Sequence, residues 1–289
     1  MKKKLMSGFM VFLTSVLVAC GSAEETTEAS SEGNDKLAEV VEKGELNVGI
    51  APGFPPYEFY VLDENGDRQI AGSDTDLAQA IADELGVDLV YTATDFNGVI
   101  ANIQSGTVDM GISGFTYTDK RAEVMQFSKG YLQEASGGYQ GLMVHEDLVN
   151  AFTNLDEIKE AGLVLGAQGG SIQYELAQSL TDASNVKQYA TLDVGLAALN
   201  EGDIEAMVVS TTSAEPMLIT FPDLAILPQE AFDLDPERVY STNVIAFPLG
   251  AEYESLIEVA NEVIEENKAN GNIAKWHEEA TALSREAVE

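Results

Sequence analysis

The chain has 289 residues, with 49 acidic against 15 basic side chains, a formal net charge of −34, and an apolar share of 45%. A surface of that sign repels phosphates, which excludes nucleic-acid binding through clustered Lys and Arg. The apolar share, with 11 Phe and 10 Tyr, exceeds what a disordered chain carries, and the length suits about two domains. One Cys and two His leave neither a disulfide framework nor a Cys/His metal set, so no metal and no cofactor is expected. No G-x-S-x-G elbow and no phosphate-binding G-x-x-x-x-G-K-[ST] loop is present. His145 reads as a loop residue, and His277 as a surface position beside Trp276 on a C-terminal helix.

Residues 1–20 open with Lys2, Lys3 and Lys4, continue through an apolar run over 5–18 and end in Leu17-Val18-Ala19-Cys20, the order of a secretory signal. The run is shorter than the roughly 20 residues a membrane span needs. Its ending resembles a bacterial lipobox, which implies a diacylglyceryl anchor on Cys20 and a chain held at the membrane surface by lipid. Removal of 1–19 takes away three lysines and no acid, moving the charge from −34 to −37. Residues 21–36 lack large aliphatic side chains over most of their length and read as a disordered acidic tether.

From residue 37 strands and helices alternate. A short apolar strand is predicted over 46–51, then a Pro/Gly-rich turn and a hairpin-like polar segment over 63–67. Gly72-Ser73-Asp74-Thr75-Asp76 supplies N-cap chemistry for a helix with Leu77, Ile81 and Leu85 on its buried stripe and Gly86 at its end. A strand over 87–93, a helix over 99–105 and a strand over 108–113 complete two β-α-β units, which imply right-handed crossovers and a parallel sheet. A second set follows: strands over 141–144, 163–167, 186–190 and 206–209, with helices over 154–161, 171–180 and 193–200 between them. One more strand over 243–247 precedes helices over 253–268 and 273–283. If that helix pair packs back on the first lobe, the chain crosses between lobes twice, and two crossings make a hinge with a cleft.

Two groups of residues carry a family resemblance. The first is 49–58 (GIAPGFPPYE), 72–78 (GSDTDLA), 105–109 (SGTVD), 113–121 (SGFTYTDKR) and 127–128 (FS). The second is 170–173 (GSIQ), 199–206 (LNEGDIEA), 270–273 (NGNI) and 275–276 (KW). Together they resemble the bacterial extracellular solute-binding proteins of polar amino-acid ABC transporters. The resemblance implies a two-lobed α/β fold of the type II periplasmic-binding-protein kind, with parallel-sheet lobes joined by two hinge crossings. Lobe 1 is expected over 37–133 plus 242–289, and lobe 2 over 134–241. It further implies a monomer, not an enzyme, on the outer face of the cell membrane. Such a protein captures an amino acid or small carboxylate and delivers it to the membrane permease.

By the same resemblance Thr116 and Arg121 hold the ligand's carboxylate, with Ser113 and Gly114 beside them. Arg121 suits that role because its planar fork donates two parallel hydrogen bonds. Gly170, Ser171 and Ile172 match the second-lobe helix start, whose N–H groups favour an anion, and Phe54 and Phe96 match an aromatic sandwich. Ser210 stands where relatives carry an acid for the ligand's ammonium, so Asp193 or Glu215 substitutes or the ligand is not a standard α-amino acid. Ala51 likewise replaces an acid, which argues against Lys, Arg or His as ligand. Two further classes share this fold: a secreted dehydratase acting on a cyclic carboxylic acid through carboxylates, and a ligand sensor module, against which the lack of a span after Cys20 counts.

Overall fold

The computed structural model describes residues 35–133 and 138–287. The signal segment, Cys20 and all of the tether before residue 35 lie outside it. Asp35 caps the first helix, accepting from Leu37 N at 3.2 Å, so Lys36, expected at the tether's end, is already helical in Lys36–Lys43. Among the described residues no helix is long and apolar enough to cross a membrane.

Each β-α-β set builds its own five-stranded sheet. In the first sheet Glu45–Ile50 lies between Asp88–Ala93 and Met110–Gly111, parallel to both, and Ala246–Phe247 and Gln126–Phe127 follow. In the second, Val186–Tyr189, Leu165–Gln168 and Ala206–Ser210 run parallel, followed by Gln140–His145 and Leu224–Ile226. The expected parallel pairing holds for the β-α-β strands, and each sheet adds antiparallel strands to them: Ala246–Phe247 and Gln140–His145 run antiparallel to both of their neighbours. The physical reason is the direction of entry. A chain arriving from the crossing enters a lobe where the β-α-β strands end, so it must run the opposite way. The crossings themselves, Leu132–Gln133 and Thr242–Asn243, pair side by side as antiparallel strands.

The second sheet is apolar on both faces, and its strands show why. Leu142, Val144, Ala206 and Val208 join one core, while the alternate residues Met143, Met207 and Val209 join another on the opposite face. In the first lobe Leu77, Ala78, Ile81 and Ala82 of helix Ser73–Leu85 are buried with Leu46, Val48, Met110 and Phe247. The same core takes Leu256, Ala260 and Ile264 of helix Glu254–Ala269 and Ile273 of helix Asn272–Ala287, so the C-terminal pair does pack back on the first lobe.

Three local expectations change. Ser73 and Asp74 do not cap their helix: the N-cap is Gly72, without a side-chain bond, and Asp74 is fully buried. The strand expected over 108–113 shrinks to Met110–Gly111, because the backbone bends at 113–114, where Gly114 has φ +55°. Neither histidine sits as expected. His145 ends the strand Gln140–His145, opposite Leu224, and His277 is half-buried, its ring 5.2 Å from that of Tyr57 and its Nδ1 3.3 Å from Ser73 Oγ.

Candidate functional site

The C-terminal ends of the parallel strands in both lobes meet at one cavity, with about 510 Å³ between its walls, open mouth included. Nine of the ten ligand-contact residues expected from the sequence line it: Phe54, Phe96, Ser113, Gly114, Thr116, Arg121, Ser171, Ile172 and Ser210. Gly170 lies one step outside, in the adjoining groove that Lys120 and Glu175 close with a 3.0 Å ion pair between the lobes.

Local chemistry places each of these side chains. Thr118 caps the short helix Asp119–Ala122, its Oγ1 accepting from Arg121 N at 3.1 Å, and so fixes where the guanidinium starts. Nη1 of Arg121 donates to Thr116 O at 2.8 Å and Thr116 Oγ1 at 3.3 Å, and Nη2 donates to Gly170 O of the second lobe at 3.1 Å. Of the five N–H donors of a guanidinium, Nε–H and one Nη2–H have no protein acceptor among the described residues, a pair suited to a two-point carboxylate. The rings of Phe96 and Phe115 lie 5.4 and 5.5 Å from Cζ, and burial pushes the Arg121 pKa down to about 10, with Glu175 opposing, so the group stays charged at neutral pH.

Phe54 stacks on Tyr57 at 5.4 Å and packs so closely on Gly114 that a Cβ there would lie 2.9 Å from its ring. Phe96 opens helix Phe96–Gln104, whose cap Asp95 accepts from Gly98 N at 2.8 Å, and its ring meets Phe115 at 4.8 Å. In the second lobe Ser171 caps helix Ile172–Gln178, accepting from Tyr174 N at 3.1 Å while donating to Gln168 O at 2.7 Å. Ser210 ends strand Ala206–Ser210, buried at the wall. Neither Asp193 nor Glu215 substitutes for the missing acid: both are exposed and neither lines the cavity.

Sequence reasoning missed several wall residues. Gln140, Gln168 and Gln173 give the second lobe an uncharged polar wall, with Gln173 Nε2 donating to Gln140 Oε1 at 2.7 Å, and Tyr240 and Asn243 come from the returning crossing. Gln140 and Gln168 had no local signal, since only strand pairing brings their ends together.

Glu58 was in plain view in Pro55-Pro56-Tyr57-Glu58 and, among the described residues, is the only acid on the cavity wall. It is 1% exposed and accepts from Ser113 Oγ at 2.6 Å, with the buried Asp74 carboxyl as its other neighbour. Asp74 accepts from Gly114 N at 2.8 Å and from Tyr131 OH at 2.7 Å. Burial, then the Asp74 charge, pushes Glu58 well above the carboxylate range, and burial pushes Asp74 up to about 6. The argument against basic ligands, made without this acid, loses its force.

Raised carboxyl pKa values mean that the folded protein holds these protons more tightly than the unfolded chain. The pair's contribution to stability is therefore full at low pH and is lost as pH rises through about 6. The melting temperature of Glu58→Gln relative to wild type should accordingly rise from pH 5 to pH 8. A difference that stays constant over that range would show that the pair does not titrate.

Comparison with known proteins gives this geometry its relatives. A 30% identical protein, covering 93% of this chain and 95% of its own length, is the probable histidine-binding protein of Campylobacter jejuni. The arginine-binding extracellular protein ArtP of Bacillus subtilis is 25% identical, covering 95% of this chain and 96% of its own. Among solved structures, an amino acid ABC transporter substrate-binding protein, AbpA from Streptococcus pneumoniae, bound to L-arginine, superposes with a TM-score of 0.74 at 30% identity, over 86% of this chain and 98% of that one. The family model for bacterial extracellular solute-binding proteins, family 3, matches residues 46–280, and the chain belongs to that family.

Proposed function

We propose that this protein captures an amino acid in the cavity between its lobes and hands it to the membrane subunits of an ABC importer. In this reading it works outside the cell, held to the membrane by lipid on Cys20. Arg121 is the observation that carries it. A charged guanidinium lines the cavity with two N–H groups unclaimed by any described residue, and its Nη2 is already tied to the second lobe through Gly170 O. A carboxylate held by Arg121 and met from the second lobe by the N–H groups at the start of helix Ile172–Gln178 is bound best when the cleft is shut, the differential affinity that closure requires. Relatives named for binding histidine, arginine and cystine support an amino-acid ligand.

The test is a thermal-shift screen of the processed protein against the twenty standard L-amino acids and L-cystine. Ligand at about 100 times Kd adds about 2.7 kcal/mol, a shift of roughly 5–10 °C for a chain of this size. At least one compound should reach that range and be recovered chemically unchanged. No shift with any of them would overturn the reading, and turnover of the bound compound would replace it with the enzymatic one.

A further inference from the structure

The cavity has a positive end without a matching negative one until Glu58 is considered. Oε1 of Glu58 is satisfied by Ser113 Oγ, but Oε2, buried, has no N–H or O–H donor among the described residues. An ionised carboxylate only accepts, so one unserved oxygen in the interior is unfavourable. A protonated Glu58 removes the difficulty, because it donates to Asp74, which is kept as the acceptor by Gly114 N and Tyr131 OH. Among the described residues the surroundings supply no cation to ionise the pair. Tyr91 and Tyr131, their pKa values raised by burial, face it as neutral phenols, His277 sits behind Tyr57 with its pKa lowered by burial, and Arg121 lines the cavity tied to Thr116 and Gly170.

We propose that Glu58 is the counter-charge for a cationic nitrogen of the captured solute, and that binding expels the proton Glu58 shares with Asp74. The inference rests on the amino-acid reading above and deepens it: the solute carries a carboxylate for Arg121 and a positive nitrogen for Glu58. The balance is simple. A solute ammonium meets the Glu58 carboxyl, the carboxyl O–H breaks, the proton leaves to solvent, and an ion pair remains in place of a neutral contact. The ammonium then serves the oxygen that the protein leaves without a donor. It also offsets the repulsion between two adjacent carboxylates that keeps the proton in place while the cavity is empty. Proton release on binding follows, and the acid absent at Ser210 is supplied from the opposite lobe.

The experiment is titration calorimetry at pH 7 in phosphate and in Tris, using the amino acid that gives the largest shift in the thermal screen. The dependence of the observed enthalpy on buffer ionisation counts the protons. Wild type should release about one proton per ligand at that pH, where the pair holds about one. Glu58→Gln should bind at least about tenfold more weakly and release almost none. The matching α-hydroxy acid, which lacks the nitrogen, should bind wild type without proton release. Binding of the amino acid with no proton released, or release that survives in Glu58→Gln, overturns the proposal while leaving the functional reading intact. If Glu58→Gln does not fold, the amino acid against hydroxy acid comparison on wild type decides alone. If no amino acid binds, the functional reading has failed and the proposal falls with it.

Discussion

Replacing Arg121 by alanine should abolish amino-acid-induced stabilisation at ligand concentrations that saturate the wild type. Truncating one member of a buried, hydrogen-bonded charge pair costs roughly 2–5 kcal/mol, a loss of about thirtyfold to several thousandfold in affinity. Three protein contacts of the guanidinium go at the same time, two to Thr116 and one to Gly170 O. The lobes therefore lose a tie as well as a ligand contact. Arg121→Lys is expected to recover little, because an ammonium cannot reach Thr116 and Gly170 while presenting a two-point fork to the solute. A melting shift that persists unchanged in Arg121→Ala would remove Arg121 from the site. Circular dichroism of the unliganded variant separates that result from misfolding.

The largest effect on stability is expected at Gly72. Its φ is +139°, and a Cβ there would lie 2.1 Å from Tyr57 O and 2.9 Å from Glu58 N. Both are backbone atoms, so no side-chain rotation relieves the clash. The close approach is structural: Ser73 N donates to Pro56 O at 3.1 Å and Asp74 N to Tyr57 O at 3.0 Å, docking the helix start on the loop that carries Glu58. Gly72→Ala must break these bonds or strain them, and about 4 kcal/mol of destabilisation, a melting decrease of roughly 8–16 °C, is expected. Gly86→Ala is the control: its φ is +67° but a Cβ would meet nothing within 4 Å, so only the backbone preference of about 1 kcal/mol is lost. Equal melting temperatures for the two variants would show that the contact at Gly72 yields.

Both predictions rest on residues visible in the sequence, but not equally legible there. Arg121 stood out because it sits in a polar run, 116–121, whose residue types fit carboxylate binding and match a family pattern. The helix Ser73–Leu85 was legible from its apolar spacing, yet the roles of Ser73 and Asp74 were not. Capping chemistry is a local signal, and here a tertiary demand overrode it: the Asp74 carboxylate is required inside, between Gly114 N and Tyr131 OH. The antiparallel direction of Gln140–His145 and Ala246–Phe247 was not legible for a related reason. Periodicity reports which residues are buried and says nothing of the end from which a strand enters its sheet.

The acidic charge that excluded polyanion partners, the α/β alternation and the family of the chain were determined by the sequence alone, because each follows from residue type and spacing. The tertiary structure decided what the cavity contains. Gln140, Gln168 and Ser210 stand together only because two strands of one sheet end at the cleft and an antiparallel third begins there. Glu58 becomes a buried neighbour of Asp74, its pKa pushed well up by burial, only because Gly72 lets two backbones touch. Burial and the proximity of like charges are properties of the folded chain. They turn an ordinary glutamate of the sequence into the acid that the cavity otherwise lacks.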